Sequence, residues 1–434
     1  LIVINSILKA YKGNIIFTPE FGKYEIVENG YIVVNDRLVQ GVYKTLPEEL
    51  KDTVVVDYTG KLIVPGFVDL HFHAPQFVNR GLGIDMELLP WLETYTFPEE
   101  AKYIDTEYAL KAYKKVVHEL WKQGTTRAVL FGTIHKEATK ILMDLIDKSG
   151  LSAYVGKVNM DRNSPEFYIE NTEDSINDTE DFLTETINKY DLVKPIITPR
   201  FIPTCTGVLM DGLSELASKF NVPVQSHLSE NRGEVEWVSK LHPEASSYSE
   251  VYNQFRMFGK TPTVMAHCIY LSDEEIKLMA RNNVFVAHSP HSNSNLISGI
   301  APIRKLLKAG VPVGLSSDIS GGHNASIASV MVQAVQVSKL KWVENPEYSE
   351  FEDFLSTPEV FYLATKGGGK FFGNVGSFEK DYEFDALVID DTELSDLNER
   401  SIEERIQRYI YIGDDRQILH RYVAGRKIEE PKFD

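Results

Sequence analysis

Cysteine is nearly missing from this chain: its 434 residues contain two. Two thiols cannot build a disulfide scaffold or a cysteine-only zinc site, and they suit a reducing compartment. Long apolar runs are absent too; no uninterrupted stretch approaches the ~18 residues that a membrane span needs. Positive charge is in deficit, with 45 Lys and Arg against 63 Asp and Glu and a net charge of −18. So acidic a surface repels phosphate backbones and anionic lipid, which argues against nucleic-acid and membrane partners. The opening Leu1-Ile2-Val3-Ile4-Asn5-Ser6 has no basic region or cleavage pattern, so no signal peptide is expected. A start on Leu1 rather than on methionine suggests a trimmed chain. Internal repeats, low-complexity tracts and long flexible linkers are lacking as well.

What is present is enough to bury a core: 43% hydrophobic and 11% aromatic residues exclude disorder. The length allows up to three domains, or one large α/β barrel with an appendage. These features together predict a soluble, cytoplasmic enzyme.

The first 65 residues read as short strands at Asn14–Thr18, Tyr24–Glu28, Tyr31–Val34, Leu38–Tyr43 and Thr53–Tyr58, punctuated by Gly, Asn, Asp and Pro. Eight apolar runs follow: Phe67–His71, Arg127–Phe131, Ala153–Val158, Pro195–Thr198, Val222–His227, Thr263–His267, Val284–His288 and Val311–Ser316. Most lead into helical periodicity, as at Gly212–Phe220, Asp273–Arg281 and Ile303–Ala309. Near-continuous apolar strands alternating with helices mean a buried parallel sheet, and eight such units predict a (β/α)8 TIM-like barrel. The interval from His71 to Asp318 fits the ~250 residues usual for that fold. After about Val375, strands are expected again at Ala386–Ile389, Arg408–Ile412, Ile418–Val423 and Arg426–Ile428. Neither end has strands enough to stand alone, so residues 1–65 and 375–434 are expected to pair into one small β-sandwich beside a barrel of residues 66–374. The acidic run Asn171–Asp181 reads as a solvated loop.

Catalytic groups of such barrels sit at the C-terminal ends of the strands. Those ends carry His71, His73, Arg200, His227, His267, His288 and Asp318. Only 11 histidines occur in the chain, yet five of these seven positions are histidine. Each is weak alone. A His-x-His pair arises readily by composition, a single strand-end histidine is more often a core residue, and Asp318 in a Ser-Ser-Asp-Ile-Ser-Gly-Gly stretch could cap a helix. Residues two apart in a strand point the same way, so His71 and His73 can reach one ion. Three imidazoles and a carboxylate at one mouth suit a zinc-like divalent ion with water as the remaining ligand. Glu230 reads plainly as a surface carboxylate at a helix start, or more sharply as a general acid/base beside metal-bound water.

Other residues carry less. His288 and His291 flank Pro290 near the mouth and either could touch substrate. His323 lies in a Gly-Gly-His-Asn turn, and His118, His135, His242 and His420 are expected to be structural or exposed. Cys205 and Cys268 read as small buried apolar groups. Gly367-Gly368-Gly369-Lys370 is no phosphate loop, because the glycine spacing is wrong and Phe371 stands where Ser or Thr is needed.

Pro65-Gly66-Phe67-Val68-Asp69-Leu70-His71-Phe72-His73 resembles the amidohydrolase superfamily. Gly314-Leu315-Ser316-Ser317-Asp318 and the C-terminal Gly376-Ser377 with Phe384-Asp385-Ala386-Leu387-Val388 support this. Within it the chain is most similar to the guanine deaminase family, through Gln76, Leu88-Leu89-Pro90-Trp91-Leu92-Glu93-Thr94-Tyr95-Thr96-Phe97-Pro98, Thr198-Pro199-Arg200-Phe201 and His227-Leu228-Ser229-Glu230-Asn231-Arg232. The resemblance implies one zinc ion per subunit on His71, His73, His227 and Asp318. It implies Glu230, His267 and Asp318 as catalytic groups, and Gln76, Trp91, Arg200, Phe201, His227 and Glu230 around a purine base. It also implies a homodimer. Ser289 stands where cysteine is common and Ser316-Ser317 replaces Gly-Thr; both are small polar changes that spare the ligands. No lysine ends strand four, which favours a single metal.

The implied reaction is hydrolysis of guanine to xanthine and ammonia: the ion turns water into hydroxide, and Glu230 and Asp318 shuttle protons. Arg200 has only donors and suits a carbonyl oxygen, Gln76 offers a donor and an acceptor, and Phe201 could stack on the base or merely fill the core. Trp91 and Phe97, on the long insertion after strand one, could form a lid. Two rival readings stand: a hydrolase of cytosine, adenosine, an 8-oxopurine or a triazine, and a metal-free scaffold. The intact ligand set speaks against the scaffold. Iron or manganese would suit the same ligands as zinc.

Overall fold

A computed structural model describes residues 8–344 and 354–433, so the opening apolar burst at residues 1–6 lies outside the described residues. Four strands come first: β1 (Leu8–Glu20), β2 (Lys23–Asn35), β3 (Leu38–Tyr43) and β4 (Val54–Pro65). β1, β2 and β4 are longer than the sequence runs suggest, while β3 matches its run. Tyr24–Glu28 and Tyr31–Val34 fuse into the single β2, because a register shift in the β1–β2 ladder between Gly13 and Ile15 absorbs the irregularity around Gly30.

The barrel strands are β5 (Phe67–His73), β6 (Thr125–Phe131), β7 (Ser152–Gly156) with the short β8 (Val158–Asn159), β9 (Val193–Pro195) with the short β10 (Thr198–Pro199), β11 (Val224–Leu228), β12 (Thr263–His267), β13 (Phe285–His288) and β14 (Val313–Leu315). They pair in parallel as two four-stranded sheets, β5-β6-β7-β9 and β11-β12-β13-β14. Backbone bonds close both seams. Ile197 N donates to Pro223 O at 3.0 Å and Gln225 N to Ile197 O at 2.9 Å on one side. Asp318 N donates to His71 O and His73 N to Ile319 O, each at 2.9 Å, on the other. The strands are buried on both faces, as near-continuous apolar runs require. Val68, Leu70, Val129, Ile196, Val264, Ala266 and Ala287 form one cluster, capped by Phe371. The helical layer packs on another.

The remaining strands, β15 (Ala386–Ile389), β16 (Ile418–Val423) and β17 (Arg426–Ile428), join β1–β4 as expected. All seven make one continuous hydrogen-bonded sheet in the order β17-β16-β15-β4-β1-β2-β3. Tyr11, Ile15, Phe17, Ile32, Phe384 and Tyr422 from both chain ends fill its core. Arg127 of β6 ties this sheet to the barrel: Nε donates to Asp385 Oδ2 and Nη2 to Glu383 Oε2, both at 2.6 Å.

Two expectations fail. Asn171–Asp181 is not a loop but opens the helix Thr172–Thr186. Asn171 caps it by accepting from Glu173 N and Asp174 N, the acidic first turn suits the positive helix end, and Ser175, Thr179, Phe182, Leu183 and Thr186 bury one face. Arg408–Ile412 is not a strand but the end of the helix Ile402–Ile412, which starts with a Ser401/Glu404 capping box and buries Ile406, Tyr409 and Ile410. Among the described residues no helix is long and apolar enough to cross a membrane.

Candidate active site

The two histidines of β5 face the barrel mouth because the strand changes phase. Val68 and Leu70 belong to one buried cluster and Phe72 to another, and the β5–β6 register shifts between Asp69 and Phe72. Without that shift, His71 would follow the opposite face to Leu70. Asp69 fixes the irregularity: its buried carboxylate accepts from His71 N at 3.2 Å and from Ser317 N at 3.1 Å, joining the first strand to the last.

Here the sequence-expected residues meet. His71 Nε2 lies 3.0 Å and His73 Nε2 3.6 Å from Asp318 Oδ1. His73 Nε2 lies 3.1 Å from His227 Nε2. His267 Nε2 is 3.3 Å from Glu230 Oε2 and 3.7 Å from Asp318 Oδ2. All six side chains are buried. His267 and Asp318 hold left-handed backbone angles, φ 72° and 47°, which L-residues adopt at a cost that packing must offset.

The donor set fits a divalent metal. Nδ1 of His227 donates to Arg200 O at 2.6 Å and Nδ1 of His267 to Asn293 Oδ1 at 2.8 Å. Each bond spends the ring's one neutral-form proton outward, so both Nε2 lone pairs point into the site. Burial and the neighbouring His71 push His73 and His227 well below the usual imidazole range, keeping them neutral. His71 Nε2 is buried and faces no polar group in hydrogen-bonding position other than Asp318 Oδ1. The ligating atoms of His71, His73 and Asp318, and those of His71, His227 and His267, lie within 4.8 Å of one another. His267 thus stands as close to the cluster as the four residues expected to ligate.

Two carboxyls are set to opposite protonation states. Burial raises Asp318, but the facing His71 and His267 outweigh it and hold the group at about 2. Burial, then the charges of Asp318 and Glu234, push Glu230 well above the usual carboxylate range. Glu230 follows β11 at the start of the helix Arg232–Leu241, where Glu234 accepts from Glu230 N at 2.8 Å and from Asn231 N at 3.1 Å. One is fitted to accept a proton and the other to give one.

A narrow cavity opens from these groups, lined by Gln76, Leu88, Trp91, Leu92, Arg200, Phe201 and Leu296. Trp91 reaches it from the insertion after β5 and is held by Nε1 donating to Leu82 O at 3.2 Å. Phe97 does not line it; its ring sits 5.1 Å from the Arg200 guanidinium. Phe201 packs among Leu88, Trp91 and Leu296. Arg200 is less free than its sequence suggests, because Nη1 donates to Glu100 Oε2 at 2.7 Å and Nη2 to Glu100 Oε1 at 3.1 Å. Gln76 Nε2 also donates to Glu100 Oε1, at 2.8 Å, while its Oε1 accepts from Ser320 N at 3.0 Å.

Other candidates stay outside the cavity. His288 is buried and lines a separate groove of about 420 Å3 between the helices Ile303–Lys308 and Ile327–Glu344. That groove is larger but brings no ligating cluster together. His291 bonds Ser329 and its ring packs on His323. His118 pairs with Glu430, while His135, His242 and His420 are partly buried elsewhere. Cys205 and Cys268 are buried, and burial raises both thiols. Ser289 and Ser316 bond each other at 2.7 Å. Sequence reasoning passed over Glu100, Asn293, Glu234 and Asp69. A buried arginine at the mouth calls for a counter-carboxylate, but the 63 acids of the chain give no means to choose Glu100.

The sequence profile of the amidohydrolase family matches residues 62–428. A guanine deaminase of Dictyostelium discoideum is 40% identical, over 98% of this chain and 99% of its own. A guanine deaminase of Mus musculus is 41% identical, over 85% of this chain and 83% of its own. A guanine deaminase from C. acetobutylicum, solved with guanine bound in the active site, superposes with a TM-score of 0.94 at 51% identity, over 97% of this chain and 100% of its own.

Proposed function

The chain belongs to the amidohydrolase family, and we propose that it hydrolyses guanine to xanthine and ammonia. The observation that carries this reading is one cavity joining a metal-fitting cluster, two oppositely poised carboxyls and a wall of hydrogen-bond donors from Arg200 and Gln76. Its similarity to guanine deaminases over nearly the whole chain supports the same substrate.

His71, His73, His227 and Asp318 would hold one zinc ion, with His267 beside it. A zinc ion so held lowers the pKa of its water to roughly 7 and supplies a nucleophile at neutral pH. The chain's own groups do the rest. Asp318, ionised, accepts a proton from the attacking water. Glu230, held protonated, donates to the ring nitrogen beside the amine-bearing carbon, so charge does not build there. His267 orients both carboxyls, lying within 3.7 Å of each. Of water's two protons, one ends on the ring nitrogen and the other on the departing amine. Arg200 and Gln76 hold the carbonyl edge, Phe201 and Trp91 flank the base, and Trp91 helps exclude solvent. The acidic surface is no obstacle, since a free purine base is neutral. With this reading go a homodimer and cytoplasmic residence.

The test is ammonia release from a panel of bases (guanine, adenine, cytosine, an 8-oxopurine and a triazine), with metal content measured on the same sample. Guanine should turn over fastest, with about one zinc per chain. Inert guanine beside turnover of another base would overturn the substrate. Less than about half an equivalent of metal after zinc supplementation would revive the scaffold reading.

A further inference from the structure

Glu100 lies at the end of the short helix Phe97–Glu100, in the insertion after β5, and is fully buried. Four donors converge on its carboxylate: two from Arg200, one from Gln76 Nε2, and one from Tyr168 Oη to Oε2 at 2.8 Å. A carboxylate has about four acceptor sites, so Glu100 is saturated and offers nothing to the cavity. Its charge also offsets that of Arg200: burial works against the guanidinium, yet Glu100 holds it above its ordinary pKa.

The consequence falls on Gln76. An amide in a pocket can flip to offer either an acceptor or a donor. Here the flip is blocked at both ends, because Ser320 N–H must meet the oxygen and the Glu100 carboxylate must meet the amine. Arg200 has only N–H groups left to turn toward the cavity, while Gln76 keeps one amine proton and the second lone pair of an oxygen already held by Ser320 N. A donor wall of zero net charge accepts a neutral base with an oxygen at that edge and leaves an amine there unsatisfied.

We propose that Glu100 is the positioning residue that sets substrate choice at this site, locking Gln76 against a flip and making the wall donor-rich and electrically neutral so that it takes a 6-oxopurine rather than a 6-aminopurine. This rests on the guanine reading above. Glu100 touches neither substrate nor reacting atoms; it acts through Arg200 and Gln76.

The test is Glu100→Gln, assayed with guanine and with 2,6-diaminopurine, which carries the same 2-amine but an amine in place of the 6-oxygen. KM for guanine should rise about tenfold or more, with kcat less affected. The guanine preference should narrow at least about tenfold while metal content stays near that of the parent. Inhibition by the urate anion should tighten severalfold, because Arg200 then keeps an unbalanced charge. A residue that merely supported the fold would weaken urate and guanine together. An unchanged preference, or weakened urate binding, overturns the proposal. Should Glu100→Gln fail to fold or to hold metal, Tyr168→Phe decides: it frees one acceptor site on Glu100 and should narrow the preference about threefold, and no change overturns the proposal. If the parent protein leaves guanine untouched, the substrate reading has failed, and urate binding by the variant alone judges Glu100.

Discussion

Nδ1 of His227 donates to the main-chain oxygen of Arg200 at 2.6 Å. The metal-fitting cluster and the cavity wall therefore share one backbone position: the carbonyl of residue 200 sets the orientation of His227, and its side chain lines the cavity.

That division predicts what truncating the arm does. Arg200→Ala keeps the carbonyl, so zinc content should stay near one per chain, while kcat/KM for guanine falls by about 100-fold or more. The variant also strands Glu100 as a buried, unpaired charge, so its melting temperature should drop. Loss of zinc along with activity would contradict the separation.

Metal removal should affect both activity and stability. Dialysis against a chelator is expected to abolish ammonia release and lower the melting temperature, and added zinc should restore both. At 100-fold excess over its Kd an ion stabilises the fold by about 2.7 kcal/mol. A chelated protein with full activity would remove the metal from the mechanism.

Glu230→Gln should slow guanine turnover by roughly 10²- to 10⁴-fold, the usual worth of a general acid. It should also stabilise the protein in a pH-dependent way. Burial beside Asp318 and Glu234 raises the folded-state pKa of Glu230 well above the ordinary 4.5, so ionisation favours unfolding. That penalty is absent below the ordinary value and grows as pH climbs from there toward the folded-state pKa. Urea midpoints of the metal-free proteins should agree near pH 4, with the variant ahead at pH 8. A gap that does not depend on pH would show the carboxyl to be unperturbed.

Arg127 tests the joint between barrel and sheet. Arg127→Ala leaves Asp385, which is buried and also accepts from Ala424 N at 2.7 Å, without its cation. A cost of about 3–5 kcal/mol is expected, read as a lowered urea midpoint. The side chain sits at the opposite end of β6 from the mouth, so turnover per folded molecule should stay within about twofold of the parent.

Much of this was legible beforehand because it rests on periodicity and on residue type. Continuous apolar runs marked the buried parallel strands, and histidines at their ends marked the mouth. The two errors came from segments where short-range patterns compete. Asn171–Asp181 looked solvated because its acids face outward, while the cap at Asn171 and the buried Phe182–Leu183 carry the helix. Arg408–Ile412 alternates like a strand, but the capping box at Ser401 starts a helix that runs through it.

The sequence by itself determined the architecture, the family and the residue types gathered at the barrel mouth, because those follow from hydrophobic pattern, residue chemistry and short motifs. Only the tertiary structure decided which groups are free to act. Arg200 reads as a free donor and Gln76 as offering either a donor or an acceptor until Glu100, a hundred positions from the one and 24 from the other, is seen holding both. Glu230 reads either as a surface acid or as a general acid/base, and its burial beside Asp318 removes the surface reading. Hydrogen bonding and electrostatics at a site depend on partners that folding brings from distant segments, and no local pattern encodes which partner arrives.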